Sequence, residues 1–277
     1  MAMQPADSND IPAMDWHGAA IDAARCAGCE HAALRAAGQC EPGRCCMHDV
    51  YARRIDRFFR THPSLANQHL THEYFEVRAI AARYADVFRL GAMLVDPDET
   101  VRLQVALRVP QRLLLKLRDD PHREVRIRVA LRLDLPELAA LVRDTDYQVR
   151  CIVAKRAPEG LLPLLMHDAD LQVRQEVARR LPMPALWRMA ADAAPEVRRI
   201  VAERLPVSLL DALAADADWT VRWEAAGRAT GAALERLRDD AEPEVRERAR
   251  ERAMEVSEWL TSRATTTSSR SPTRRAS

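Results

Sequence analysis

Apolar positions along this chain return on a fixed beat of 24 residues. Its most regular mark is a Val-Arg pair: Val77-Arg78, Val101-Arg102, Val125-Arg126, Val149-Arg150, Val173-Arg174, Val197-Arg198, Val221-Arg222 and Val245-Arg246. Within each unit, apolar residues stand at the Val, then four, five and eight positions later, as in Val101, Val105, Ala106, Val109 or Val173, Val177, Ala178, Leu181. That spacing is one face of an α-helix. Three residues before the Val stands Asp98, Asp146, Asp170 or Asp218, each able to cap the helix, and Pro195 and Pro243 fit its first turn. Pro110, Pro158, Pro182 and Pro206 recur nine residues after the Val and stop it. Leucines spaced by three follow: Leu114 and Leu117, Leu138 and Leu141, Leu162 and Leu165, Leu210 and Leu213, Leu234 and Leu237. They predict a short, tightly wound helix of 3₁₀ type. No β-type alternation occurs. A pair of such short helices cannot bury its apolar face alone, so the predicted fold is an all-α solenoid in which stacking supplies the core.

The repeat solenoid is expected over residues 77–260. In its last unit Arg250 stands where other units carry Ala, while Val245, Ala249, Ala253, Val256 and Leu260 keep a stripe, which reads as one longer closing helix. Residues 261–277 are Ser, Thr and Arg with one Pro and read as a disordered tail. At the other end, residues 1–22 read as a flexible arm that Trp16 could anchor. Residues 49–76 read as N-terminal capping helices. There Asp49 is the candidate N-cap, and Val50, Tyr51, Ile55, Phe58 and Phe59 form one apolar face. His62, His69 and His72 have no ligand-like spacing and are expected at the surface.

Charge narrows the picture. Arg recurs seven residues after the Val, at Arg108, Arg132, Arg156, Arg180, Arg204, Arg228 and Arg252, and Asp five before it, from Asp96 to Asp240. The formal net charge is only +1, and residues 77–252 hold 31 Lys plus Arg against 29 Asp plus Glu. The two Arg columns are therefore read as planar donors for the Asp column and for helix carboxyl ends rather than as a nucleic-acid surface. No segment has the shape of a secretory signal or the length of a membrane span, so a cytoplasmic setting is expected, with thiols reduced.

Residues 23–48 carry the candidate chemistry. Five of the 6 cysteines cluster as Cys26-Ala-Gly-Cys29 and Cys40-Glu-Pro-Gly-Arg-Cys45-Cys46, with Gly28, Gly38, Pro42 and Gly43 supplying turns. In a reducing compartment such a cluster points to metal rather than to disulfides. Zinc ribbons present two Cys-x2-Cys pairs and this segment has one, although His31 or His48 could complete a Cys3His zinc site. Four irregularly spaced thiolates fit an iron–sulfur cluster equally well. Spacing alone leaves both open.

Taken together, the repeat Val-Arg-x-x-Val-Ala-x-Arg-x-Pro over residues 77–252 and the segment Cys26-x2-Cys29-x10-Cys40-Glu-Pro-Gly, continued by Cys45-Cys46 and Tyr51-Ala-Arg-Arg-Ile-Asp-Arg-Phe-Phe, resemble the leucine-rich repeat variant family. The resemblance implies alternating α and 3₁₀ helices in a right-handed superhelix and a [4Fe–4S] cluster in a small N-terminal domain. It implies Cys26, Cys29, Cys40 and Cys46 as ligands, with Cys45 as the alternate fourth. It also carries an association with nitrogen-fixing bacteria.

No phosphate loop, nucleophile motif or metalloprotease spacing is present, and neither an enzyme nor a small-molecule substrate is indicated. The expected role is a scaffold that docks a protein partner and carries a redox-active or redox-sensing cluster. Electron transfer, with the repeats as a docking platform, is the alternative. Nucleic-acid binding ranks third.

Overall fold

The computed structural model describes residues 11–268, with side chains through residue 259. Contacts divide the described residues into two compact units, one ending at Leu141 and the other beginning at Val142. Among the described residues there is no β-strand, only isolated bridges at Met14 with Ala20 and Glu41 with Cys45.

The first unit begins with α1 (Ala23–Ala27), α2 (Ala32–Ala36) and α3 (Ala52–Thr61). A 3₁₀ turn, Pro63–Gln68, leads to the repeat helices Phe75–Tyr84, Glu99–Ala106 and Arg123–Arg132, with 3₁₀ segments at Val87–Val95, Leu115–Leu117 and Leu135–Leu141. α3 packs on Phe75–Tyr84, and each repeat helix here packs on the next. The second unit repeats the scheme with α-helices Tyr147–Arg156, Leu171–Arg180, Pro195–Arg204 and Trp219–Ala226, closed by Pro243–Ser268. The leucine segments wind as 3₁₀ helices at Glu159–Leu165 and Ala185–Ala191, whereas Gly231–Arg238 is α-helical.

The pattern becomes packing directly. Val77, Val101, Val125, Val149, Val173, Val197, Val221 and Val245 are each 0% exposed. Leu114, Leu138, Leu162 and Leu210 fill the other side of their units and are equally buried. Asp98, Asp146, Asp170 and Asp218 cap their helices by accepting from the backbone N–H groups of the first turn.

The Arg and Asp columns interlock. Arg198 donates from Nε and Nη2 to both oxygens of Asp216 at 2.7 and 2.8 Å. Its Nη1 donates to the carbonyls of Asp192 at 2.8 Å and Ala193 at 3.2 Å. The same fork joins Arg78 to Asp96 and Arg102 to Asp120 in the first unit, and Arg150 to Asp168, Arg174 to Asp192 and Arg222 to Asp240 in the second. The other Arg column caps carboxyl ends: Arg108 reaches the carbonyls of Ala82 and Ala85, and Arg204 those of Ala178 and Leu181. Carbonyls left over where these helices stop thus find charged donors.

Three expectations change. Residues 11–22 are docked, not loose: Arg54 donates to the carbonyls of Ile11 and Pro12, Val50 N donates to Met14 O, and Trp16 stacks on Tyr74 with centroids 5.6 Å apart. Residues 1–10 of the expected arm lie outside the described residues. Asp49 does not cap α3; it is 0% exposed and bonded to Arg54, itself 1% exposed, while Tyr51 takes the cap position and Val50 points outward. The closing helix runs to Ser268, beyond the expected start of the tail at 261, and its Thr-rich composition gives no local reason for that extension. Residues 269–277 lie outside the described residues.

Candidate metal centre

The cysteine segment is shaped by short turns. Asp22 caps α1 by accepting from Arg25 N at 2.9 Å, and Gly28 ends it, so Cys26 and Cys29 leave the chain one helical turn apart. After α2, Gly38 turns the backbone at φ +69°, a conformation open to glycine, and delivers Cys40. A tight loop then pairs Glu41 with Cys45 in both directions at 2.8 Å around Gly43, φ +74°, and returns Cys46 towards Cys40.

Cys26, Cys29, Cys40 and Cys46 line one small cavity, together with Ile21, Arg25 and Met47. All six cysteines are unbridged. Cys45 is buried but does not line the cavity; its thiol is directed to the carbonyl of Gln39 at 3.8 Å. Cys46 lines the cavity and Cys45 does not, which separates the two candidates for the fourth position. His31 and His48 also reach the cavity wall.

Electrostatics favour one thiolate first. The Cys46 thiol is held below its usual value, chiefly by its hydrogen bond with Cys40, with the backbone amides of His48 and Asp49 adding to the effect. That bond and burial push Cys40 up, and burial pushes up Cys29 and Cys45. Several thiolates this close repel one another in a desolvated space and need a bound cation to coexist. The donor set therefore fits a thiolate-bound metal centre.

Beside the cavity lies a group that the sequence did not reveal. His31, His48, His69 and His72 converge, with ring centroids 5.5 Å apart for His31 and His69 and 6.3 Å for His48 and His72. His69 is buried rather than at the surface, and His72 is half-buried under Trp16. His62 stands apart, its Nε2 3.1 Å from Gln39 O. Burial depresses the four clustered imidazoles, His69 to about 4, so they are neutral near pH 7. No sequence spacing marks this group, because His31 and His69 meet only through the packing of α2, α3 and the following 3₁₀ turn.

A solved structure described as a leucine-rich repeat variant with a novel repetitive protein structural motif aligns with a TM-score of 0.77 at 46% identity, covering 81% of this chain and 96% of that one. The chain belongs to the leucine-rich repeat variant family. The family model described as LRV protein FeS4 cluster matches residues 13–68, and that for the leucine-rich repeat variant matches residues 147–170. A curated relative, the uncharacterized 27.7 kDa protein in the nifB 3' region of Rhodobacter capsulatus, is 45% identical over 97 residues, 35% of this chain. The match spans 38% of that relative's length. This leucine-rich repeat variant chain thus carries an N-terminal iron–sulfur cluster domain ahead of its all-α repeats. No helix among the described residues is long and apolar enough to cross a membrane.

Proposed function

We propose that Cys26, Cys29, Cys40 and Cys46 hold a [4Fe–4S] cluster and that the protein is a docking scaffold whose cluster is redox-active or senses redox state. The observation that carries this reading is the convergence of four unbridged thiols on one cavity, with Cys45 turned away. Such a cluster, when bound, supplies a one-electron couple. The chain's own residues bury it: Ile21 and Ala13 pack against Cys26 and Cys46, and Arg54 pins the segment that covers them. Amides donating to Cys46 sulfur favour its anionic form.

The repeats supply the docking surface. In the first unit Phe88 and Val95, on the 3₁₀ segment Val87–Val95, are 97% and 85% exposed, unusual for apolar side chains of this size. A protein partner covering them would gain burial that the chain alone leaves unmade. A cluster that needs its thiols reduced fits a cytoplasmic setting, and the relative's name supports a link to nitrogen fixation.

Anaerobic purification followed by iron, sulfide and zinc analysis and EPR tests the cluster. Affinity capture with the cluster oxidised and then reduced tests the scaffold role. About four irons and four sulfides per chain, with a redox-dependent set of captured proteins, are expected. An unchanged partner set would defeat the sensing role, and rapid electron exchange with a ferredoxin-like partner would put electron transfer in its place.

A second reading has one observation behind it. The cavity measures about 20 Å³, room for one ion until the thiols move outward. A single tetrahedral zinc or iron on the same cysteines would satisfy it. One metal ion per chain without sulfide would establish that reading over the cluster.

A further inference from the structure

We propose that Glu30, His31 and His69 form a second metal site, for one divalent first-row transition ion, next to the cysteine cavity, whose wall His31 shares. One ligand atom from each lies within 4.8 Å of the others. Glu30 and His31 come from the turn between α1 and α2, and His69 from the end of the 3₁₀ turn after α3.

His69 supplies the independent observation. Its residue is 8% exposed, and its Nε2 is buried with no hydrogen-bond partner. Buried ring nitrogens are almost always paired, so an orphan needs an explanation. His69 also lines a cleft of about 560 Å³ whose walls carry Glu30, His31, His48 and His72. The remaining walls hold no Lys or Arg to claim the carboxylate: they are Leu65, Gln68 and Thr71.

The other groups lie as a metal would need them. Glu30 Oε1 is 3.4 Å from His31 Nε2 and 3.9 Å from His48 Nε2, so a single carboxylate sits between two imidazoles. Met47 Sδ is 3.2 Å from the same His31 Nε2, a contact that gives way when this nitrogen takes the metal. His72 Nδ1 accepts from Tyr74 N at 3.0 Å, which orients this outer ring as wall rather than as ligand through that atom. Two imidazoles and one carboxylate form a ligand set for Zn(II) or Fe(II) that leaves coordination positions open. Bonds of about 2.1 Å place tetrahedral donors roughly 3.4 Å apart, so the three must draw together by about an ångström. Glu30, 57% exposed on its side chain, has the freedom to do so. The ligands contain no sulfur, and the site stands whether or not the cysteines hold a cluster.

The test uses the purified full-length chain with its iron retained, stripped on a chelating resin and titrated with Zn(II), bound zinc and iron being counted by elemental analysis. One zinc beyond the iron is expected. Glu30→Gln, on an exposed side chain, and His69→Gln are each expected to weaken that zinc by roughly tenfold or more while iron stays constant. Zinc uptake insensitive to Glu30→Gln, uptake that displaces iron, or no uptake at all would overturn the site. A chain without iron that still takes zinc in a Glu30-dependent way would uphold this site while defeating the cluster reading.

Discussion

Replacing Arg198 by Met keeps the aliphatic stem and deletes one guanidinium from the ladder. Lost are two bonds to Asp216, at 2.7 and 2.8 Å, and two to the carbonyls of Asp192 and Ala193. What remains is a carboxylate with 8% of its side chain exposed, opposite a gap, still accepting from Asp218 N at 2.9 Å. Two reference values bracket the cost. Exposed pairs are worth about 0.2–1 kcal/mol, whereas breaking a buried one costs about 3–5 kcal/mol. With Arg198 only 15% exposed, the pair sits near the buried end, and about 3 kcal/mol is expected. Hydrogen exchange read by mass spectrometry on Pro195–Arg204 and Trp219–Ala226 should then quicken by about two orders of magnitude. Arg198→Lys should recover less than half of the loss, since an ammonium cannot make the fork. Adding Asp216→Leu to Arg198→Met should restore part of it by removing the stranded charge. Arg238→Met is the internal control. Its bond to Glu235 is 2.9 Å long, but the two side chains are 46% and 66% exposed, so the change should cost under about 0.5 kcal/mol. Equal costs at Arg198 and Arg238 would refute the ladder as a source of stability.

Other outcomes follow from the same contacts. Arg54→Met should destabilise the N-terminal segment by about 3 kcal/mol or more, since Asp49 loses its buried partner, and limited proteolysis should then cut within residues 11–22. Gly43→Ala forces an L-residue to φ +74°, costing about 1–2 kcal/mol, and metal occupancy should fall because the turn presenting Cys46 is displaced. Acid should act through the Asp column. Burial works to raise Asp168 and Asp216, but the bonds from Arg150 and Arg198 and backbone amides outweigh it; at Asp240 the Arg222 bond dominates, and all three lie below the usual 3.8. Depressed carboxylates contribute stability above the ordinary value and lose it as pH falls through the folded one. The urea midpoint should therefore hold from pH 7 to about 4 and drop below 3.8; a midpoint flat to pH 2 would remove the column from the account.

The repeats were legible because each position answers to one local cause. Val173 is buried because the helix period puts it inward, Asp170 caps because it precedes the first turn, and Pro182 stops the helix. Even the Arg partners could be anticipated, since a repeat places every Arg beside the same Asp. The cysteines stood out as candidate ligands by type, and the resemblance already favoured Cys46 over Cys45; that Cys46 rather than Cys45 lines the cavity follows from the turn around Gly43. Contacts between distant residues left no periodic trace. Asp49 looked like a cap because only its neighbours were in view, whereas its partner Arg54 ties it to carbonyls more than 40 residues away in sequence from Arg54. The docking of Trp16 and the meeting of His31 with His69 are likewise products of packing.

Iron and acid-labile sulfide, counted per chain in anaerobically purified wild type, Cys45→Ser and Cys46→Ser, test the central assignment most directly. About four of each are expected in wild type and Cys45→Ser, and loss of most of both in Cys46→Ser. A cluster lost in Cys45→Ser and retained in Cys46→Ser, or a wild-type chain holding metal without sulfide, would contradict it.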